Sequence, residues 1–364
     1  MKAYYRLHFF IVVSLLFNPV RSHGTERFRD TVSGEQDTLE RTTPRGIDLF
    51  ASDEILQMTL SLNIREFLKT KNKPEYLDAT LIVKTGDRDS ITQPIKIKAR
   101  GEMRRSYCSF PPVMLKFKSD GSEDDPIIQD KGTLKLVTHC NLRTLNEGYV
   151  LKEYLIYKLF NLVTPYSFHT RLVKIRYIDI NKTDKAFTTY GFLIENEDEM
   201  AERNKSVVIE NKNLSQKNMI NTEMARVAVF NYMIGNTDWT VPFQHNVKVL
   251  KSLQALSDKA IPVAYDFDYS GFVNTVYSIP QENLPIKTVT ERYFMGACWK
   301  EEELYPIVEE FWQLKDQFFA TIHDFEYLTS YDKKWTVNYI DSFFKMYKNP
   351  KIMANELSRA CGNY

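Results

Sequence analysis

Alternating apolar and polar positions mark the start of the chain as strand-rich. Residues 79–84 and 95–100 each alternate in this way, and turn-forming residues around Gly86 separate them, as in a β-hairpin. The alternation continues at residues 113–118 and returns at residues 134–137. The first half is therefore predicted to begin as an antiparallel β-sheet.

The hydrophobic spacing becomes helical near Leu151. Leu151, Leu155, Leu159 and Leu162 recur every three or four residues, and Pro165 ends the run. This spacing predicts an amphipathic helix packed on the sheet.

Strands return after this helix, at residues 171–178 and 190–195, and a mainly helical half follows. Residues 223–234 and the aromatic-rich C-terminal segments favour helices, and two β-like stretches, 247–250 and 263–265, interrupt them. The predicted fold class is α+β with two lobes. An N-terminal antiparallel β-rich lobe with one main helix precedes a mainly helical C-terminal lobe.

Composition allows a large core and limits the class of partner. The chain has 364 residues, of which 43% are hydrophobic, and this is enough for one large or two modest domains. Its 48 basic and 47 acidic residues nearly cancel, so no net field draws it to nucleic acid or to an anionic membrane. A polypeptide or small-molecule partner is expected.

The N-terminus has the pattern of a secretory signal. Lys2 and Arg6 precede a short apolar run at residues 7–17, which favours a signal peptide over residues 1–22, with an uncleaved anchor as the alternative. The polar residues 23–45 are typical of a flexible linker. We expect a secreted, periplasmic or cell-envelope protein with no membrane span after signal removal.

The four cysteines are Cys108, Cys140, Cys298 and Cys361, and no two of them form a Cys-x-x-Cys pair. Zinc ligation therefore has little support. Export permits disulfides, and three pairings are open, as are free buried thiols.

Polar residues concentrate where apolar elements end in the second half. Asp238 lies in a loop after the predicted helix, and Asp266 follows the apolar strand 261–264, so two carboxylates on separate loops could converge. Phosphoryl transfer needs one carboxylate to orient the attacking hydroxyl and another to hold a divalent metal, with Asn246 as a further ligand. The alternative is that these are ordinary turn and cap residues.

Several short segments follow one another in a fixed order: Arg100-Gly101 with Ser106, Lys116-Phe117, the helix bearing Glu153, residues 190–195, Asn236-x-Asp238 with Asn246, and Asp266-Phe267-Asp268. This order is similar to that of the CotH (spore-coat protein H) family of atypical secreted protein kinases. The resemblance covers roughly residues 47–271.

The resemblance implies a kinase-like domain over residues 46–364, with lobes at about 46–195 and 196–364. It implies an exported kinase that uses ATP with Mg²⁺ or Mn²⁺ to phosphorylate Ser or Thr of an exported protein. In the implied site, Asp238 is the catalytic base, and Asp266 and Asn246 bind the metal. Arg100, Gly101 and Lys116 contact the phosphates, and Glu153 or Glu147 pairs with Lys116. Glu195 lies near the adenine.

Other functions stay open. Asp238 and Asn246 are eight residues apart, whereas the corresponding residues of ordinary kinases are five apart, so an inactive kinase-like scaffold is the main alternative. Lys116 could be a solvated strand residue, Glu153 a helix-face charge, and His245 a structural group outside the site. A metal-dependent phosphohydrolase or a carbohydrate-binding envelope protein is a third hypothesis.

Overall fold

The computed structural model describes residues 48–86, 89–117, 132–141, 144–254 and 257–362. The predicted signal peptide at residues 1–22 and the predicted linker at residues 23–45 lie outside the described residues.

Seven strands of the first half form a closed barrel with the order β1-β2-β3-β4-β5-β7-β6. Neighbouring strands are antiparallel except β1 and β6, which pair in parallel and close the barrel, with Leu56 opposite Val173. The strands are β1 (Leu56–Leu62), β2 (Leu77–Lys84), β3 (Ser90–Ala99), β4 (Val113–Phe117), β5 (Thr133–Val137), β6 (Thr170–Asp179) and β7 (Lys182–Ile194).

Alternate residues of these strands point inward, where they form the core of the barrel. In β1, for example, Met58, Leu60 and Leu62 are buried while the residues between them are not. The predicted hairpin is present as the antiparallel pair β2 and β3. The predicted mixed α+β class is confirmed, but the sheet closes into a barrel because of the parallel β1–β6 pair, which local patterning did not reveal.

Three helices lie among the described residues of this half: α1 (Ile64–Lys69), α2 (Met103–Tyr107) and α3 (Thr144–Val163). The predicted amphipathic helix is α3, which begins earlier than the leucine spacing indicated. Its aromatic side chains reach across to the second half, since the Phe160 and Phe230 rings lie 4.6 Å apart. Helix α3 therefore packs against both halves and fixes residues of each.

The second half is mainly helical, as predicted. A three-stranded sheet of order β10-β9-β8 accompanies the helices. The elements are α4 (Glu197–Arg203), β8 (Ser206–Val208), α5 (Asn221–Ile234), β9 (Val247–Ser252), β10 (Ile261–Ala264), α6 (Glu301–Gln313), α7 (Lys315–Asp324), α8 (Ser330–Met346) and α9 (Pro350–Arg359).

All four cysteines form disulfides, with the pairing Cys108–Cys140 and Cys298–Cys361. The first bridge ties the end of α2 to the segment after β5, and the second ties the segment before α6 to the C-terminal segment. Disulfides persist in oxidising compartments, so this pairing is compatible with an exported protein. Within the described part of the chain, the helices are all too short or too polar to cross a membrane.

Candidate functional site

A cleft of about 690 Å³ lies between the barrel and the helical half. It brings together most of the residues singled out from the sequence. Those that line it are Arg100, Gly101, Asp238, Asn246 and Asp266. The barrel side contributes the first two, from the segment after β3, and the helical side contributes the other three.

Asp238 is positioned by the end of α5. The helix ends at Gly235, whose φ of +65° is left-handed, and a Cβ atom there would lie 2.0 Å from the Tyr339 hydroxyl oxygen, so only glycine fits. Asn236 then accepts a hydrogen bond from the Asp238 backbone N–H at 3.0 Å and donates to the Asn231 side-chain oxygen. The loop thus holds Asp238 in a fixed place just beyond the end of a buried helix.

Two neighbours bond the Asp238 carboxylate. His245 Nε2 lies 2.8 Å from Oδ1, and Asn246 Nδ2 donates to Oδ2 at 3.0 Å and to the Asp238 backbone carbonyl at 2.7 Å. The residues between them turn back on themselves, since the Thr240 N–H donates to the His245 carbonyl. The eight-residue spacing therefore still places Asn246 directly beside Asp238.

His245 lines the same cleft, whereas the sequence analysis placed it outside the site as a structural group. Its hydrogen bond to Asp238 raises the pKa of the imidazole above its usual value, and the charges of Asp238 and Asp266 act in the same direction, against the effect of burial. The ring lines the cleft. A positively charged imidazole beside Asp238 would favour anionic ligands.

Asp266 begins the polar segment after β10. Its φ of +59° is left-handed, a conformation that Asp tolerates better than most residues. Its backbone N–H donates to the Tyr157 hydroxyl of α3 at 3.0 Å. This bond ties the position of Asp266 to the helix that spans both halves.

A buried ion cluster connects the two sides of the cleft. Arg104 of α2 donates from Nε to Asp268 Oδ2 at 2.8 Å and from an Nη atom to Glu153 Oε2 at 2.5 Å. The Tyr277 hydroxyl also donates to Asp268. We call Arg104, Glu153 and Asp268 the arginine cluster. It joins α2, α3 and the segment after β10.

Burial governs the acidities in the arginine cluster. It raises the pKa of Glu153 to about 8, a shift that the charge of Arg104 opposes and the charge of Asp268 reinforces. Burial raises the pKa of Asp268 as well. Burial lowers the pKa of the Arg104 guanidinium, but the charges of Asp268 and Glu153 outweigh it and hold that pKa well above its usual value.

The resemblance implied that Glu153 pairs with Lys116, but Glu153 pairs with Arg104 instead. Lys116 is exposed on the outer face of β4, and its Nζ lies 5.4 Å from the centre of the Tyr76 ring. Lys116 and Glu153 are absent from the lining of the cleft, although Glu153 reaches it through Arg104.

Lys135 of β5 lies near the cleft, on the ring of Tyr265, which lines it. Its Nζ lies 5.3 Å from the centre of the Tyr265 ring, next to Asp266 in sequence. Burial lowers its pKa to about 8, Arg100 lowers it further, and Asp266 opposes the shift. Lys135 also lines a smaller cavity of about 380 Å³ that adjoins the end of β7. It therefore lies between that cavity and the carboxylates of the cleft.

Glu195 lies at the end of β7, where the chain passes into the helical half, and it lines the smaller cavity. Both of its carboxylate oxygens accept hydrogen bonds from Arg203, and Oε2 also accepts one from the His169 N–H. Its carboxylate is thus engaged within the protein and contributes little to a ligand.

The cleft offers oxygen ligands for a hard cation. Asp266, Asp238 and the side-chain oxygen of Asn246 are of the type that Mg²⁺ and Mn²⁺ prefer. In the described part of the chain, no three His, Cys, Asp or Glu residues are arranged to hold a metal ion by themselves. Since Mg²⁺ commonly uses one or two carboxylates and completes its shell with phosphate and water, this donor set fits a metal that arrives with a phosphate ligand.

No protein-family model matches the chain, and no curated protein matches it significantly.

Proposed function

We propose that the chain is an exported kinase of the CotH type, which transfers the γ-phosphoryl group of ATP to Ser or Thr of an exported protein. One observation carries the proposal. Asp238 and Asp266 arrive on separate loops, line the same cleft, and have Asn246 bonded to Asp238. Phosphoryl transfer needs two carboxylates in separate roles, and this arrangement supports the proposal.

In this proposal the two halves act as the two lobes of such an enzyme, although the first half is a closed seven-stranded barrel. The barrel with α3 would take the place of the smaller lobe, the segment around Glu195 would be the connection, and the helical half would be the larger lobe. The nucleotide would lie with its base in the cavity of about 380 Å³ and its phosphates toward Lys135 and Arg100.

In the proposed reaction Asp238 orients the acceptor hydroxyl and takes its proton as the oxygen attacks the γ-phosphorus. The bond to the β-phosphate oxygen breaks, and ADP leaves. Asp266 and Asn246 would hold Mg²⁺ or Mn²⁺, which neutralises phosphate charge when bound. Lys135 and Arg100 would supply further positive charge, and Lys135 would take the role that the resemblance implied for Lys116.

A second function, an inactive kinase-like scaffold, is favoured by a different observation. The acid buried in α3, Glu153, pairs with an arginine and not with a phosphate-binding lysine. In active protein kinases the lysine and glutamate pair with each other. If the arginine cluster only holds the two halves together, the cleft could persist without catalysis.

Nucleotide binding and transfer are measured separately. We expect ATP with Mg²⁺ or Mn²⁺ to raise the melting temperature of the protein, because a ligand that binds the folded state stabilises it. Asp266→Asn should lose this shift, whereas Asp238→Asn should keep it and lose transfer of labelled phosphate. The matched control is Asp258→Asn, since Asp258 is fully exposed at the surface.

The results separate the two functions. A shift without any transfer by the native protein favours the scaffold. Transfer that survives in Asp238→Asn contradicts the role of Asp238 as the base, and the absence of a shift at saturating nucleotide contradicts the kinase proposal.

A further inference from the structure

The loop after Asp238 holds an apolar ring in solvent on a strained backbone. Phe243, Gln244 and Asn246 have φ angles of +63°, +54° and +53°. Such left-handed angles cost non-glycine residues about 1 kcal/mol or more each. The Phe243 side chain is nevertheless 75% exposed, so burial of the ring does not offset this cost.

The strained conformation is held in place from outside the loop. The Phe243 N–H donates to the Lys212 carbonyl at 3.2 Å, and Gln244 Nε2 donates to the Ile209 carbonyl at 2.9 Å. The segment that contains Ile209 and Lys212 thus holds the loop at Phe243 and at Gln244. Strain that is fixed in this way beside a functional site is a common sign of a binding role.

Phe243 is on the wall of the cleft that carries Asp238, and apolar side chains face it from the opposite wall. Met103 of α2 lines the same cleft and is 43% exposed. Tyr107 follows Met103 by four residues and so lies on the same face of α2; it is 47% exposed, and its ring lies 5.2 Å from that of Tyr277. We call Phe243, Met103 and Tyr107 the cleft rim.

We propose that the cleft rim binds an extended polypeptide that carries an apolar side chain close to the accepting Ser or Thr. This inference rests on the proposed function and deepens it by naming the class of acceptor. Asp238 and Phe243 line the same cleft, so a hydroxyl that reaches Asp238 brings its neighbouring residues past the Phe243 ring. Successive residues of an extended peptide advance about 3.3 Å, so the positions next to the accepting residue are the ones that can meet the ring.

The nucleotide is a poorer occupant of this surface. Its phosphates have their charge partners at Lys135 and Arg100, and the cavity for its base adjoins the end of β7. The rim lies instead beside the group that would accept the proton of the incoming hydroxyl. Exposed aromatic and methionine side chains at such a position are typical of protein interfaces.

The experiment measures peptide binding directly, so that it does not depend on transfer. Two fluorescent peptides are compared by anisotropy, each with one serine, one flanked by leucines and the other by asparagines. Phe243→Asn removes the ring but keeps a residue that tolerates left-handed φ, so it should fold with equal or higher melting temperature. Met103→Ser removes the opposite wall. Tyr331→Asn is the matched control, because Tyr331 on α8 is also 75% exposed.

We expect the native protein to prefer the leucine peptide, and Phe243→Asn and Met103→Ser to weaken its binding about tenfold, as truncation of an interface anchor does. Tyr331→Asn should bind as the native protein does. Equal binding of both peptides, or unchanged binding in Phe243→Asn, overturns the proposal. A smaller ATP-dependent melting shift in Phe243→Asn also overturns it, because the ring would then contact nucleotide.

Failure of the kinase proposal has a different signature. If the protein prefers the leucine peptide but transfers no phosphate, the cleft rim stands as a polypeptide site and the kinase proposal fails. If it phosphorylates both peptides equally, the kinase proposal stands and the proposal for the cleft rim fails.

Discussion

The two walls of the cleft are built by different means. On the helical wall, Asp238 and its partners are fixed by short loops and by hydrogen bonds between residues close in sequence. On the barrel wall, the charges are fixed by pairings between distant segments, such as that of Arg104 with Asp268. The helical wall should therefore tolerate loss of one side chain, whereas the barrel wall should respond in its stability as well as its chemistry.

The largest expected effect is that of Arg104→Met. It leaves Glu153 and Asp268 buried without their positive partner, a change that costs about 3 to 5 kcal/mol in the free energy of unfolding. Denaturation by urea measures the loss. Arg226→Met is the control, because Arg226 also bridges two carboxylates, Glu223 and Glu310, but is more exposed and should cost about 1 kcal/mol. Equal losses in the two variants would remove the distinction between the walls.

Lys135→Met should have a smaller effect of the opposite sign. Burial holds the pKa of Lys135 at about 8, so below that pH the folded protein carries a charge that is costly to bury. The substitution should raise the free energy of unfolding by about 1 to 2 kcal/mol at neutral pH. This range is smaller than the full pKa shift implies, because partial contact with solvent screens the charge. It should also abolish the melting shift produced by ATP and metal.

The pH dependence gives Lys135 a second test. Between pH 8 and the ordinary lysine pKa of 10.5, the folded protein releases the proton while the unfolded chain keeps it. The contribution of Lys135 to stability therefore rises with pH across this range. The difference in unfolding free energy between Lys135→Met and the native protein should shrink accordingly. A constant difference would contradict the lowered pKa.

Lys116→Ala should have the smallest effect on the free energy of unfolding. Lys116 is exposed on the outer face of β4, and substitutions at such positions usually alter stability by less than about 0.5 kcal/mol. The ATP-dependent melting shift should be unaffected. A lost shift in this variant, with a normal one in Lys135→Met, would show that the lysines had been assigned in the wrong order.

The contrast between the walls also explains what sequence could predict. Asp238 and Asp266 were identifiable because each follows an apolar element in the chain. Lys116 and Lys135 were not distinguishable, since each alternates with apolar residues in a short strand. Their exposure differs because β5 lies beside β7 and the Tyr265 ring, and β4 carries Lys116 out over Tyr76.

Arg104 had no local signal at all. It lies in a short polar segment, and its importance comes from Glu153 and Asp268, which only the folded chain brings to it. The same reason applies to the barrel. Alternation predicted strands and a hairpin, but the pairing of β1 with β6 depends on two segments separated by most of the first half.

That parallel pair has a consequence for the order of folding. β1 is the first strand of the barrel to be synthesised, and β6 comes after β5 and α3. Until β6 is available, one edge of β1 keeps its backbone groups unpaired and open to association with other chains. Non-local pairings of this kind slow folding, because the loop must close before the contact is gained. The barrel wall of the cleft should therefore be completed late, and a nascent chain that stops before β6 should be prone to aggregation.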